Sequence, residues 1–275
     1  LRLFNKVAII GLGLMGGSLG LVIKKKKIAN LVIGISRTKK TLKLAKERKA
    51  IDFGSQNLKI IKDADLLIFA TPIETILDLA YPVSRVIKED CIVTDIGSTK
   101  EKIVSRLSKI FKHYLGSHPL AGSEKSSILY AHENLFKNSL CVLTPHKNTS
   151  SFAFKKIRLF WQNIGAKVVY LSPKEHDKIL SLVSHLPHAV SFSLISAIPK
   201  EYLKFASGGL RDTTRIASSE PKIWTDIFLS NPKNILTAIE LFEDQLKRLK
   251  SCILKKDRKN LTRLIIASHK KRKNL

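Results

Sequence analysis

A strand-like run, Val7-Ala8-Ile9-Ile10, leads straight into Gly11-Leu12-Gly13-Leu14-Met15-Gly16. A GxGxxG turn between a strand and a helix is built to receive a pyrophosphate. Gly11 permits the tight turn, Gly13 lets the phosphates approach the backbone, and Gly16 lets the helix pack on the strand. The helix start at Leu14 and Met15 then offers free N–H groups and the positive end of its dipole. The spacing therefore predicts a dinucleotide site. The next strand ends at Ile35-Ser36-Arg37, with Lys39 and Lys40 close by, where an NAD site usually carries an acid on the ribose. A hydroxyl plus a guanidinium suits a 2′-phosphate, so the reading favours NADP over NAD. Two more strand ends, Ala70-Thr71-Pro72 and Thr94-Asp95-Ile96-Gly97-Ser98, fall where open α/β sheets hold ligands. Thr71 and Pro72 join the cofactor set. His118 follows another strand, among small residues (Ser117, Ala121, Gly122) that leave room for a substrate. His185 and His188 lack a third ligand at informative spacing, so no metal site is expected.

The elements that must position these residues are legible as periodicities. Apolar β-type runs occur at 7–10, 31–35, 66–70, 92–95, 114–116, 141–144 and 167–170, with helical spacing between several of them, as at 41–49 and 100–109. Near-continuous apolar strands separated by helices predict a doubly wound, mostly parallel sheet covered on both faces, an α/β Rossmann-type fold. From about Ser172 only helical periods remain, through 177–198, 223–229 and 235–254. The expected division is a dinucleotide-binding domain over 1–171 and an all-helical domain over 172–275. The uncharged window 179–199 is long enough to span a bilayer. Its five serines, two histidines and two prolines instead predict a helix buried within protein. The first strand begins so early that no targeting segment is expected.

The chain has 275 residues and 44% hydrophobic content, enough for a sizeable core, which excludes bulk disorder. Its three cysteines are far apart and form no CxxC, which suits a reducing, cytoplasmic location. Lys and Arg number 49 against 22 acids, giving a net charge of +27. Residues 246–275 alone carry twelve Lys/Arg and one acid. That stretch has no interleaved aromatics on which bases would stack. The charge is read as a solvated surface that attracts anionic metabolites, not as a specific nucleic-acid or membrane site.

Four blocks, taken in order, resemble the prephenate and arogenate dehydrogenases: GLGLMGGSLGL at 11–21, DIGSTK at 95–100, SHPLAGSEKS at 117–126, and SHLPHAVSF at 184–192 with GGLRDTTRIASSEPKIW at 208–224. Two departures stand out: Ser127 where the family commonly has glycine, and Ser36 in place of the acid. The resemblance implies oxidation and decarboxylation of a cyclohexadienol, with hydride passing to a nicotinamide. It implies that His118 is the general base and that Ser98 orients both His118 and the substrate hydroxyl. It implies that Arg215 grips a substrate carboxylate, with His188, Glu124 and Asp212 nearby. Arg211 is read as pairing with Asp212 to hold the loop. The histidine at 188 points to prephenate, while Ser36-Arg37 is familiar from NADP-dependent arogenate enzymes. The resemblance also implies an intertwined homodimer through the helical domain, with Trp224 either near the partner's site or in the core. The expected activity is that of a prephenate dehydrogenase. The alternatives are an arogenate dehydrogenase and a non-catalytic dinucleotide-binding protein.

Overall fold

A computed structural model describes residues 2–122 and 127–274. The chain begins with strand β1 (Phe4–Ile10), helix α1 (Leu14–Lys25), β2 (Ala29–Ile35), α2 (Lys39–Glu47) and β3 (Phe53–Ser55). It continues through β4 (Leu66–Phe69), α3 (Ile73–Ser84), β5 (Ile92–Asp95), α4 (Glu101–Leu107), β6 (Gly116–Pro119), β7 (Leu140–Thr144), α5 (Ser151–Ile164) and β8 (Lys167–Tyr170). The first five strands form one sheet in the order β3-β2-β1-β4-β5, and every pair in it is parallel. Strands β6, β7 and β8 form a second sheet, with β6 antiparallel to β7. A parallel bridge between Val93 and Tyr114 joins the two sheets.

Period-two alternation divides β1 between two cores. Val7 and Ile9 pack with Leu19, Val22, Phe160 and Trp161 on one face. Ala8 and Ile10 pack with Ile33, Phe69, Ile76 and Val104 on the other. Burial on both faces explains why these strands read as continuous apolar runs. Two details differ from the sequence reading. β3 was missed, because Phe53-Gly54-Ser55 is a short edge strand with an exposed side chain and a glycine. The run at 114–116 is offset: Tyr114 makes only the bridge to Val93, and the strand proper starts at Gly116.

From Pro173 the chain is helical: α6 (Pro173–Leu180), a π-helical turn at Ser181–His185, α7 (Leu186–Ser196), α8 (Gly208–Thr214), α9 (Pro221–Ser230), α10 (Pro232–Leu254) and α11 (Arg258–Arg272). A capping box starts α6: the Ser172 hydroxyl accepts from Glu175 N, and the Glu175 carboxylate accepts from Ser172 N. Trp224 and Ile227 of α9 dock into the second core, so the helical half is anchored to the sheet half. The reading of 179–199 as a buried helix is corrected. The segment Pro173–Ser196 is long and apolar enough to cross a membrane, yet Leu182 is 41% exposed and Val183 66%. Leu229, Leu236, Leu246 and Leu254 are also exposed. Among the described residues nothing covers these apolar side chains.

Candidate active site

The strand order places the ends of β1 and β4 side by side, at the point where the winding of the sheet reverses and α/β sheets open a crevice. Gly11 sits there with φ +97°, and a Cβ on it would lie 2.4 Å from the Ala70 carbonyl oxygen. A Cβ on Gly16 would lie 1.9 Å from the Gly11 carbonyl oxygen, so only glycine lets α1 approach β1 this closely. Gly13 caps α1 without a side chain, leaving the first-turn N–H groups of Leu14, Met15 and Gly16 without intrahelical acceptors. Across the crevice the Thr71 hydroxyl is buried with no hydrogen-bond partner, and Pro72 caps α3. A backbone cradle, a helix start and an orphaned hydroxyl fit a dinucleotide. Ser36 and Arg37 follow β2. The Ser36 N–H donates to Ser55 of β3, and Gln56 Nε2 donates to the Arg37 carbonyl at 2.5 Å. The strand missed in the sequence therefore holds the loop that carries Ser36 and Arg37. The Arg37 side chain is exposed.

Beyond that crevice, β6 presents His118, half-buried. Its neighbour Ser117 is fixed from below by hydrogen bonds from the Trp161 indole (3.0 Å) and with the Thr94 hydroxyl (2.8 Å). His118 Nδ1 lies 2.8 Å from His176 Nε2, and His176 Nδ1 lies 2.7 Å from Asp177 Oδ1. Asp177 also accepts from the backbone N–H groups of Lys100 (2.7 Å) and Glu101 (2.9 Å), which start α4. Its own carbonyl accepts from Asn231 Nδ2. Beneath the loop, the fully buried Lys100 ammonium pairs with the fully buried Asp95 and donates to the Ser117 carbonyl. Tyr114 OH and Gly97 N also donate to Asp95. Desolvation pushes the His118 pKa well below the usual imidazole range, helped by His176, Lys100 and His185. Burial likewise lowers His176 and His188, and brings His185 to about 4. Burial thus opposes protonation of all four rings.

Sequence reasoning missed His176, Asp177 and the Asp95–Lys100 pair. Ser98 lies half-buried in the β5–α4 loop, with no hydrogen bond to His118 among the described residues, and His118 Nδ1 bonds His176. His188 stacks on Trp224 with ring centroids 3.4 Å apart, and its Nδ1 bonds to the Ser184 carbonyl. Trp224 also packs on Phe228 and Phe192 of its own chain, so core packing accounts for it here. Arg215 is exposed, and near enough to His188 for its charge to oppose protonation of that ring. The expected Arg211–Asp212 pair is absent: Arg211 Nε instead donates to the Ala206 carbonyl, and Asp212 is exposed. Glu124 lies outside the described residues.

Residues 19–170 match the family described as prephenate dehydrogenase, nucleotide-binding domain, and residues 172–266 match prephenate dehydrogenase, dimerization domain. The chain belongs to the prephenate dehydrogenase family. A prephenate dehydrogenase of Bacillus subtilis is 35% identical over 94% of this chain and 73% of its own length. The crystal structure of prephenate dehydrogenase from A. aeolicus, in complex with hydroxyphenyl propionate and NAD+, superimposes with a TM-score of 0.94. It shares 35% identity and 98% coverage of both chains. The Synechocystis arogenate dehydrogenase structure is also similar, with a TM-score of 0.84 and 30% identity over 98% of this chain and 99% of that one. As a member of the prephenate dehydrogenase family, the chain is a nicotinamide-dependent oxidoreductase, and its glycine cradle fits that class of cofactor.

Proposed function

We propose that this chain oxidises and decarboxylates prephenate to 4-hydroxyphenylpyruvate. The observation that carries the reading is His118. Its Nδ1 is tied inward to His176, while among the described residues nothing bonds to its Nε2. A neutral imidazole with one free nitrogen is a general base poised to accept the substrate hydroxyl proton. A nicotinamide, when bound, would supply the acceptor for the hydride of the hydroxyl-bearing carbon. The ring ketone so formed is conjugated with the carboxylate-bearing carbon. Loss of CO₂ then leaves an aromatic phenol. Gly11, Gly13, Leu14, Met15, Gly16, Thr71 and Pro72 would hold the dinucleotide. Arg215, with His188, Asp212 and Glu124, would hold the carboxylates, and Ser98 would meet the hydroxyl. The functional units follow as 1–171 for the cofactor and 172–275 for substrate and assembly.

The second reading, an arogenate dehydrogenase, is favoured by the Ser36-Arg37 pair and by the similarity to the Synechocystis enzyme. Steady-state kinetics with prephenate and arogenate, each paired with NAD and NADP, test both readings. A kcat/KM for arogenate above that for prephenate would overturn the first. Replacing Arg215 with alanine should raise the substrate KM and leave dinucleotide affinity unchanged. Because Arg215 is exposed, the value of a charge-assisted hydrogen bond applies, about 1.5–3 kcal/mol or roughly 10–100-fold. Equal losses for substrate and dinucleotide would refute the assignment.

NADP is the proposed cofactor, because Ser36 and Arg37 stand at the end of β2 with no acid to repel a 2′-phosphate. Ser36→Asp should weaken NADP by at least about tenfold while sparing NAD. Tighter binding of NAD than NADP by the unaltered protein would refute this preference. We also propose a homodimer in the cytoplasm. The exposed apolar residues Leu182 and Val183 of the π-helical turn and Leu236, Leu241 and Leu246 of α10 resemble half of a domain core, as obligate interfaces do. The three cysteines are unpaired, as a reducing compartment requires. Light scattering should give twice the 30.9 kDa chain mass; a monomer at micromolar concentration would exclude the dimer. The +27 charge is assigned to drawing in an anionic substrate, with neither nucleic acid nor membrane as a specific partner.

A further inference from the structure

Resting on the reading of His118 as the base, we propose that His176 and Asp177 are positioning residues that fix which nitrogen of His118 is free. Oδ1 of Asp177 accepts from Lys100 N, and Oδ2 accepts from Glu101 N. Backbone N–H groups can only donate, so both oxygens act as acceptors, which is the behaviour of an ionised carboxylate. The remaining partner, His176 Nδ1 at 2.7 Å, must therefore carry a proton. His176 is fully buried beside the Lys100 ammonium, and burial with that neighbouring charge lowers its pKa, against the opposing pull of Asp177 and Asp95. A neutral ring protonated on Nδ1 has a bare Nε2. The partner of that Nε2, at 2.8 Å, is His118 Nδ1, which must then donate. His118 Nε2 is left unprotonated, the only form of the neutral ring that can take a hydroxyl proton at that atom.

Among the described residues the charged and titratable groups around these rings include Lys100, Asp95, His185 and Cys141, and His118 Nδ1 is bonded to His176. Asp177 stands in the helical half, while the N–H groups it accepts belong to α4 of the sheet half. One carboxylate thus sets the proton on the base and ties the two halves together at the site. When His118 takes the hydroxyl proton, the O–H bond breaks and an Nε2–H bond forms. The positive charge that results is stabilised through the Nδ1–H bond to His176 and, beyond it, by Asp177.

The test uses full-length enzyme labelled with ¹⁵N-histidine, whose ring shifts report which nitrogen is protonated. At neutral pH, His118 and His176 should both be protonated on Nδ1. Asp177→Asn keeps one oxygen for the α4 N–H groups but turns an amide toward His176. Both rings should then change to Nε2–H, and kcat should fall roughly 10²–10⁴-fold, as for a base held in the wrong tautomer. Substrate KM and NAD(P) affinity should change less than about twofold, and His118→Asn combined with Asp177→Asn should be no slower than His118→Asn alone. An Nε2–H His118 in the unaltered enzyme, or an Asp177→Asn enzyme with unchanged kcat, would overturn the proposal. If Asp177→Asn fails to fold, the tautomer of the unaltered enzyme decides by itself. A near-normal kcat for His118→Asn would instead refute the base, a separate failure that leaves the tautomer measurement standing.

Discussion

Replacing His118 with asparagine is expected to lower kcat by roughly 10²–10⁴-fold, the usual value of general acid–base catalysis. Asparagine keeps a polar group near Nδ1 and so preserves a bond toward His176, but it has no basic lone pair to receive a proton. The cofactor crevice is built from the ends of β1, β2 and β4, whereas His118 stands on β6. Dinucleotide affinity, measured by titration, should therefore stay within about twofold of the unaltered protein. KM should change little, since the lost interaction is made chiefly in the transition state. A variant that turns over at near-normal kcat with saturating substrate would remove His118 from the reaction.

The largest expected loss of stability follows from Lys100→Met. The ammonium and the Asp95 carboxylate are both fully buried, and each has further partners: the Ser117 carbonyl for Lys100, and Tyr114 OH and Gly97 N for Asp95. Breaking a buried pair from one side leaves an uncompensated charge and costs about 3–5 kcal/mol. At about 2–4 °C per kcal/mol for a chain of this size class, the melting temperature should fall by roughly 6–20 °C. Adding Asp95→Asn to Lys100→Met should recover part of the loss, because it removes the stranded carboxylate while keeping an acceptor for Tyr114. A single variant that melts within ~2 °C of the unaltered protein would show the pair to be dispensable.

Much of the sheet half was legible because its physics is local. Residues 7–16 carry strand, turn and helix start in one stretch, and Gly11 and Gly16 each answer to a contact that a Cβ would violate. His118 was legible because it follows an apolar run and sits among small residues. His176 and Asp177 were not, because their meaning is tertiary. They lie 58 and 59 residues beyond His118, inside an unexceptional amphipathic helix. A local signal was present nonetheless: Ser172-Pro173-Lys174-Glu175 has the spacing of a capping box, which starts the helix at Pro173 and puts His176 in its first turn. The exposure of Leu182 and Val183 in the π-helical turn was missed for a different reason. Apolar composition says that a surface will be covered, and cannot say whether the cover comes from the same chain. Arg215 was found through the block that contains it, yet its exposure was visible only once α8 and α9 were in place.

The π-helical turn between α6 and α7 has a consequence for the length of the chain itself. Leu186 N bonds to the carbonyl of Ser181, five residues back, so one residue more than an α-helix requires is looped into the ladder. Each residue in an α-helix advances the side chain by about 100°. Were the same residues wound as regular α-helix without the wide turn, everything beyond it would be turned by about that angle relative to His176 and Asp177. His185 faces the same interior as His176, and His188 stacks on Trp224, only because the phase is reset between the two helices. This short segment therefore absorbs one surplus residue for the site: substitutions along its outer face, at Leu182 or Val183, leave the bulge intact, whereas one further inserted residue would rotate His188 out of register by about 100°.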